Sequence, residues 1–283
     1  MKTIFFLLLT TINLTLMAQK PTIGIAEDLG YDSLLYATGY RYITVSTSKY
    51  FSPKNVSDEM FEKNLNMIKS SKMKLYSCNL FIPGELKVVG RDVDEKSILA
   101  YTNIVLQRCQ AAGVKMITWG SGGSRRLPDG FDKLKAKEQF ISIARKITAQ
   151  AEGYKIVLAL ENLNSTETNF ITSLEEALEV VRIVDQPNFR LCVDIYHMLK
   201  ENEPPAIIEK TKEYLAHCEI AEREKRSPPG TYGEDLTGYL KALKKINYKG
   251  MIFLECNWEN LATQAAPAKK YLQKKIDEVY AQK

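Results

Sequence analysis

"KIVLALENLN", residues 155–164, opens with five consecutive apolar residues, Ile156 to Leu160, and then turns to a carboxylate, Glu161, followed by Asn162, Leu163 and Asn164. A short uninterrupted apolar run of this kind reads as a strand covered on both faces, the pattern of a parallel sheet. An acid at the end of such a strand is costly unless it is paired or holds a cation. Stretches of related character recur at 22–26, 41–45, 74–78, 115–119, 190–194, 216–220 and 251–255, which with 155–161 makes eight strand candidates.

Between them the periodicity is helical. In "SILAYTNIVLQRCQAAGVK", residues 97–115, Ile98, Tyr101, Val105, Cys109 and Ala112 share one face, and Gly113 is placed to end the helix. In "TSLEEALEVV", residues 172–181, Ser173 and Glu176 form a capping box ahead of the stripe Leu174, Ala177, Leu178 and Val181. Eight strand–helix units over about 260 residues predict an α/β fold, a single (β/α)8 TIM barrel. A doubly wound open sheet fits less well, because no glycine fingerprint follows the first strand.

The start of the chain reads differently. "MKTIFFLLLTTINLTLMAQK", residues 1–20, has Lys2, an apolar stretch interrupted by threonines and an Asn, and Ala18 at a position suited to cleavage. It is shorter and more polar than the roughly 20 apolar residues of a membrane span. Residues 1–18 are therefore expected to be a signal peptide and 19–283 the barrel domain, in an exported, periplasmic or secreted protein.

The 283 residues are 45% hydrophobic and 26% charged, with a net charge of +5 that becomes +4 without Lys2. The lysines lie among Glu and Asp on helical segments, a solvated pattern that argues against a nucleic-acid partner. The five cysteines show no CxxC spacing, so no disulfide framework is expected.

Acids recur at the strand ends. Glu161 closes the fifth strand, Asp194 the sixth ("RLCVD"), Glu219 lies in the seventh ("HCE"), and Glu255 closes the eighth ("GMIFLE"). In a barrel these four converge on the carboxyl-terminal face, where such folds keep their chemistry. A divalent cation is the simplest way to hold them together, and oxygen donors suit Mg²⁺ or Mn²⁺.

With these motifs the chain resembles the xylose isomerase-like superfamily of sugar isomerases and epimerases, the pattern being nearest that of the D-tagatose and D-psicose 3-epimerases. The resemblance implies a metal site of Glu161, Asp194, the strand-seven residue and Glu255, with Glu161 and Glu255 also serving as the two catalytic acid/base groups. In "ENLNSTE" it implies substrate binding by Glu167, in "DIYHM" by His197, and in "AEREKRSPPG" by Arg226. One segment departs from the family. The usual His-x-His, whose second His binds the metal, here reads "HCE", leaving His217 upstream and Glu219 in the ligand position. Strand alternation puts both on one face, so His217 also joins the candidate substrate contacts. Trp119, Tyr196 and Trp258, near strand ends, are candidates for stacking on a sugar. Arg125 and Arg126 could receive a phosphate or carboxylate, but surface pairing with Asp129 and Asp132 is the favoured reading.

The expected activity is a divalent-metal-dependent sugar isomerisation or epimerisation, by proton abstraction next to a carbonyl through an enediolate. Two alternatives stand beside it: a keto-glycoside lyase using the same proton abstraction, and a non-catalytic sugar-binding relative. The expected partner is a small sugar or keto-sugar, with no membrane span and the oligomeric state open.

Overall fold

A computed structural model of the protein describes residues 19–281. The expected signal peptide, residues 1–18, lies outside the described residues. Eight parallel strands form a closed barrel in sequence order: β1 (Thr22–Ala26), β2 (Tyr42–Ser46), β3 (Lys74–Asn79), β4 (Met116–Trp119), β5 (Val157–Glu161), β6 (Phe189–Asp194), β7 (Leu215–Ile220) and β8 (Met251–Leu254). Closure is made by β1 and β8, with Thr22 beside Met251 and Ile25 beside Leu254. The sequence places every strand within two residues of its observed bounds, because each run is apolar on both faces and flanked by helical period.

The helices are α1 (Asp32–Ala37), α2 (Thr47–Tyr50), α3 (Asp58–Ser70), α4 (Glu95–Ala111), α5 (Lys133–Gly153), α6 (Leu174–Val184), α7 (Ile195–Lys200), α8 (Ala206–Glu209), α9 (Thr237–Lys245) and α10 (Leu261–Ala281). Their starts follow local chemistry. Ser57, Asp94, Asp132 and Ser173 each accept a hydrogen bond from a first-turn amide, satisfying a donor that the helix cannot. Ser173 caps through the amide of Glu176 at 3.1 Å, while Glu176 returns a bond to the amide of Thr172 at 2.8 Å, so the expected box closes one residue early. Gly113 follows α4 with φ of +80°, a left-handed conformation that favours glycine.

Strand alternation divides the core. Outward-facing strand residues meet the helices: Trp119 is fully buried against Phe81, Phe140 of α5 and Phe189. Inward-facing residues from adjacent strands, Met116, Ala159 and Cys192, form a smaller cluster with Tyr76, Val157 and Ala216 inside the barrel. Continuing the alternation along β5 and β6, Glu161 and Asp194 face the same interior at the carboxyl end. Among the described residues no helix is long and apolar enough to cross a membrane.

Candidate metal centre and acid/base site

The four strand-end acids meet. Glu161, Asp194, Glu219 and Glu255 each offer a carboxylate oxygen within 4.8 Å of the others. Asp194 and Glu219 are fully buried, Glu161 is nearly so, and Glu255 borders the open mouth. Their positions follow from the register: Glu161 pairs alongside Cys192, Asp194 alongside Glu219, and Glu255 follows β8. Gly120 sits against the Glu161 carboxylate, where a β-carbon would collide with Oε2.

Arg226 enters this cluster from the loop after β7. Its Nη2 donates to Asp194 Oδ2 at 3.1 Å and to Glu255 Oε2, while Nη1 lies 3.5 Å from Glu167 Oε1. Nε donates to the Glu255 backbone carbonyl at 3.1 Å, and the guanidinium lies over the Tyr196 ring, 4.7 Å from its centroid. Lys225 and Arg226 both hold left-handed backbone conformations, with φ of +54° and +53°. Fully buried Glu222 secures the loop by accepting from the amides of Gly230 (2.7 Å) and Tyr232 (2.6 Å).

The two histidines differ in role. His197 Nδ1 lies 2.7 Å from the Asn164 side-chain nitrogen, and Asn164 Oδ1 is already taken by the amide and hydroxyl of Thr166. Asn164 therefore donates to Nδ1, and neutral His197 carries its proton on Nε2. That Nε2 is buried, without a well-aligned partner, 3.3 Å from both Glu161 Oε1 and Asp194 Oδ2. It is a donor aimed into the acid cluster. His217 is deeper in the barrel, packed between Tyr76 and Phe253, and its Nε2 lies 3.2 Å from Glu219 Oε1. Fully buried there, it supports Glu219 and does not face the mouth as a substrate contact, which corrects the sequence expectation.

One tryptophan expectation is corrected as well. Trp119 faces the helices, because strand alternation turns its neighbour Thr118 inward. Trp258 lies past β8 and lines a cavity with Lys225, Ser227 and Tyr232. Arg125 is also relocated: it is fully buried, donating to the carbonyls of Trp119 (3.5 Å), Glu161 (2.9 Å) and Ile171 (3.1 Å). Asp132, its expected partner, caps α5. Arg126 donates to the Glu167 carbonyl at 2.8 Å.

Three residues that the acid pattern does not show complete the site. Asn79, at the end of β3, donates to Glu255 Oε1 at 2.6 Å. Asn162 bridges β5 and β6 by bonding both the amide and the carbonyl of Asp194, at 3.0 and 3.1 Å. Asn164 orients His197. All three are amides at strand ends, and "ENLN" carries two of them.

Electrostatics explain why a cation suits the centre. Burial, then the charges of Glu219, Glu255 and Asp194, hold the Glu161 carboxyl well above the usual range, against the pull of Arg226. Burial likewise pushes Glu255 up to about 8, with Arg226 opposing and Glu219 and Asp194 reinforcing. For Glu219 burial also acts upward, but the hydrogen bond and charge of His217, with Cys192 and Arg226, outweigh it and hold the group below its ordinary value. One guanidinium does not neutralise four carboxylates. The all-oxygen donor set fits a hard divalent ion, which Glu161, Asp194, Glu219 and Glu255 would hold.

Residues 28–279 match the family model described as xylose isomerase-like TIM barrel. A ketose 3-epimerase of Arthrobacter globiformis is 31% identical over 111 residues, 39% of this chain and 38% of that protein. The shared segment thus spans about two fifths of that relative. Two solved structures show the same fold. The D-psicose 3-epimerase of Clostridium cellulolyticum, solved with D-tagatose, superposes with a TM-score of 0.74 at 19% identity over 91% of this chain and 98% of that one. A 3-keto-D-glucoside 4-epimerase from E. coli gives 0.74 at 18% identity over 90% of this chain and all of the other. With the closed eight-stranded barrel and a family match across nearly all described residues, the chain belongs to the xylose isomerase-like TIM barrel family.

Proposed function

We propose that the protein is a divalent-metal-dependent sugar isomerase or epimerase that moves a proton at the carbon next to a carbonyl. The observation that carries this reading is the pair Glu161 and Glu255. They reach one centre from β5 and the end of β8, and burial among like charges holds both carboxyls above the ordinary range. Such groups suit general acid–base work at a weakly acidic carbon.

In this scheme one of the two glutamates takes the proton from the carbon, and for epimerisation the other returns one on the opposite face. His197 donates from Nε2 to the oxygen where negative charge develops. Arg226 adds positive charge beside it and, with Glu167, orients hydroxyls. A divalent ion bound by the four carboxylates would supply Lewis-acid stabilisation of that charge.

The surroundings favour a neutral polyhydroxy substrate. The mouth beside Glu255 is a cavity of about 230 Å³ lined by Glu27, Asp28, Thr44, Ser46 and Asn79. Arg125 is fully buried and engaged with backbone carbonyls, and Arg226 with carboxylates, so neither of these two is free to take a phosphate. An exported protein meeting free sugars, as residues 1–18 suggest, is consistent with this chemistry.

The test is solvent deuterium incorporation. Sugars incubated with protein and Mn²⁺ in heavy water should gain carbon-bound deuterium, and Glu161→Gln and Glu255→Gln should each abolish it while keeping the native circular dichroism spectrum. No incorporation into any ketose or keto-sugar of a broad panel would overturn the reading.

A further inference from the structure

We propose that Glu27 sets the length of sugar the site accepts. Its carboxylate, with the Ser46 hydroxyl, takes the hydroxyls beyond carbon 4 of an open-chain ketose whose reacting carbons lie at Glu255. This rests on the sugar reading above and deepens it. Glu27, Ser46 and Glu255 line one and the same cavity, so a single ligand reaches all three.

The strand register places them. Ile25 lies beside Leu254, so Ala26 comes level with Glu255, and Glu27 stands one step further towards the mouth. On the other side Ser46 lies beside Asn79, which donates to Glu255 Oε1 at 2.6 Å. The rim of β1 and β2 thus adjoins the acid centre through residues already bonded to it.

Glu27 is the carboxylate of this rim that the protein leaves uncommitted. Asp28 is used: Oδ1 accepts from the Gly30 amide at 2.7 Å, and Oδ2 pairs with Lys49. Glu255 is held by Asn79 and Arg226. Glu27 Oε2 accepts from the Asp28 amide at 2.9 Å, and among the described residues no side chain donates to either of its oxygens. Its main chain is fixed, the amide donating to the Thr44 carbonyl at 3.0 Å. A half-buried carboxylate on a cavity wall is best satisfied by an occupant that brings donors.

Ser46 gives a second sign. It stands at the N-cap of α2, where serine ordinarily accepts from a first-turn amide, yet its hydroxyl makes no such bond and lines the cavity. A carboxylate acceptor and a hydroxyl that both donates and accepts match the hydroxyls of a sugar chain. Exposed Leu80, in the same lining, offers an apolar surface to the chain's C–H edge. The charge of Glu27 also opposes a phosphate on the terminal carbon.

The test uses the full chain with Mn²⁺ and deuterium exchange into D-fructose, D-tagatose, D-psicose and L-sorbose. The best of these is then competed with L-erythrulose, which ends at carbon 4, and with its own 6-phosphate. Glu27→Gln should raise KM for the ketohexose about tenfold or more, the worth of a hydrogen bond to a charged group, and leave kcat within about twofold. The inhibition constant of L-erythrulose should stay the same and that of the 6-phosphate should fall. Ser46→Ala should raise the ketohexose KM about threefold. An unchanged ketohexose KM, a loss shared equally by L-erythrulose, or a fall in kcat alone would overturn the role of Glu27 and leave the catalytic reading standing. Exchange into L-erythrulose but into no ketohexose would do the same. Exchange into no sugar at all overturns the catalytic reading and this inference with it.

Discussion

Asn79 holds Oε1 of Glu255 at 2.6 Å from the far side of the barrel mouth, while Arg226 takes the other oxygen. The carboxylate is thereby clamped between a neutral donor on β3 and a cation on the β7 loop. Supports of this kind set the orientation and basicity of the group they hold. Asn79→Ala should lower kcat/KM by about 10- to 100-fold. Asn79→Asp should be worse, since it places a like charge against Glu255. Steady-state kinetics on the two variants check this, and unchanged rates in both would remove Asn79 from the site.

Protein stripped of divalent ions should lose stability as pH rises. Glu161 and Glu255 have folded-state values above the ordinary 4.5, with Glu255 near about 8. Between those limits the folded chain holds protons that the unfolded chain has released, so the contribution present at low pH disappears on the way up. The melting temperature of EDTA-treated protein should fall by several degrees across this window. Glu255→Gln should flatten the slope, and saturating Mn²⁺ should oppose it by replacing the protons with a cation. A slope of the opposite sign would contradict the assignment of raised carboxyls.

His197 is predicted to be neutral, with its proton on Nε2. Burial is the largest influence on it and lowers its value below the ordinary 6.5, against the pull of Asp194. With only two histidines in the chain, nitrogen-15 spectra can be assigned by a single His217→Gln variant. The His197 signals at pH 6.5 should be those of the Nε2–H tautomer, and Asn164→Ala should mix the tautomers. A fully charged ring at that pH would rule the arrangement out.

Glu219 distinguishes this centre from an imidazole-containing one. Four carboxylates around a divalent ion leave a formal charge of −2 before Arg226 is counted, whereas a neutral histidine at 219 would leave −1. Glu219→His should shift the ratio of Zn²⁺ to Mn²⁺ affinity towards zinc by about tenfold, because imidazole is the softer donor. Competition titrations read this ratio directly. If the ratio stays put, Glu219 is not a ligand.

The barrel was legible because its strands are apolar on both faces and end in acids at matching heights. The convergence of Glu161, Asp194, Glu219 and Glu255 follows from that register. What escaped was set by neighbours distant in sequence. Trp119 looked available because it closes a strand, yet its alternation faces α5. Arg125 looked like a surface cation because Asp129 and Asp132 follow it, yet the carbonyls at the ends of β4 and β5 and at Ile171 claim it. Asn79 carries no charge and lies 176 positions from Glu255, so no local pattern marks it.

The burial of Arg125 has a mechanical consequence. By tying Trp119, Glu161 and Ile171 together through a side chain that water does not reach, it turns the rim above β4 and β5 into a fixed jaw. Accommodation of differently shaped guests therefore falls to the opposite jaw, built from the rims of β1 to β3 and of β7 and β8.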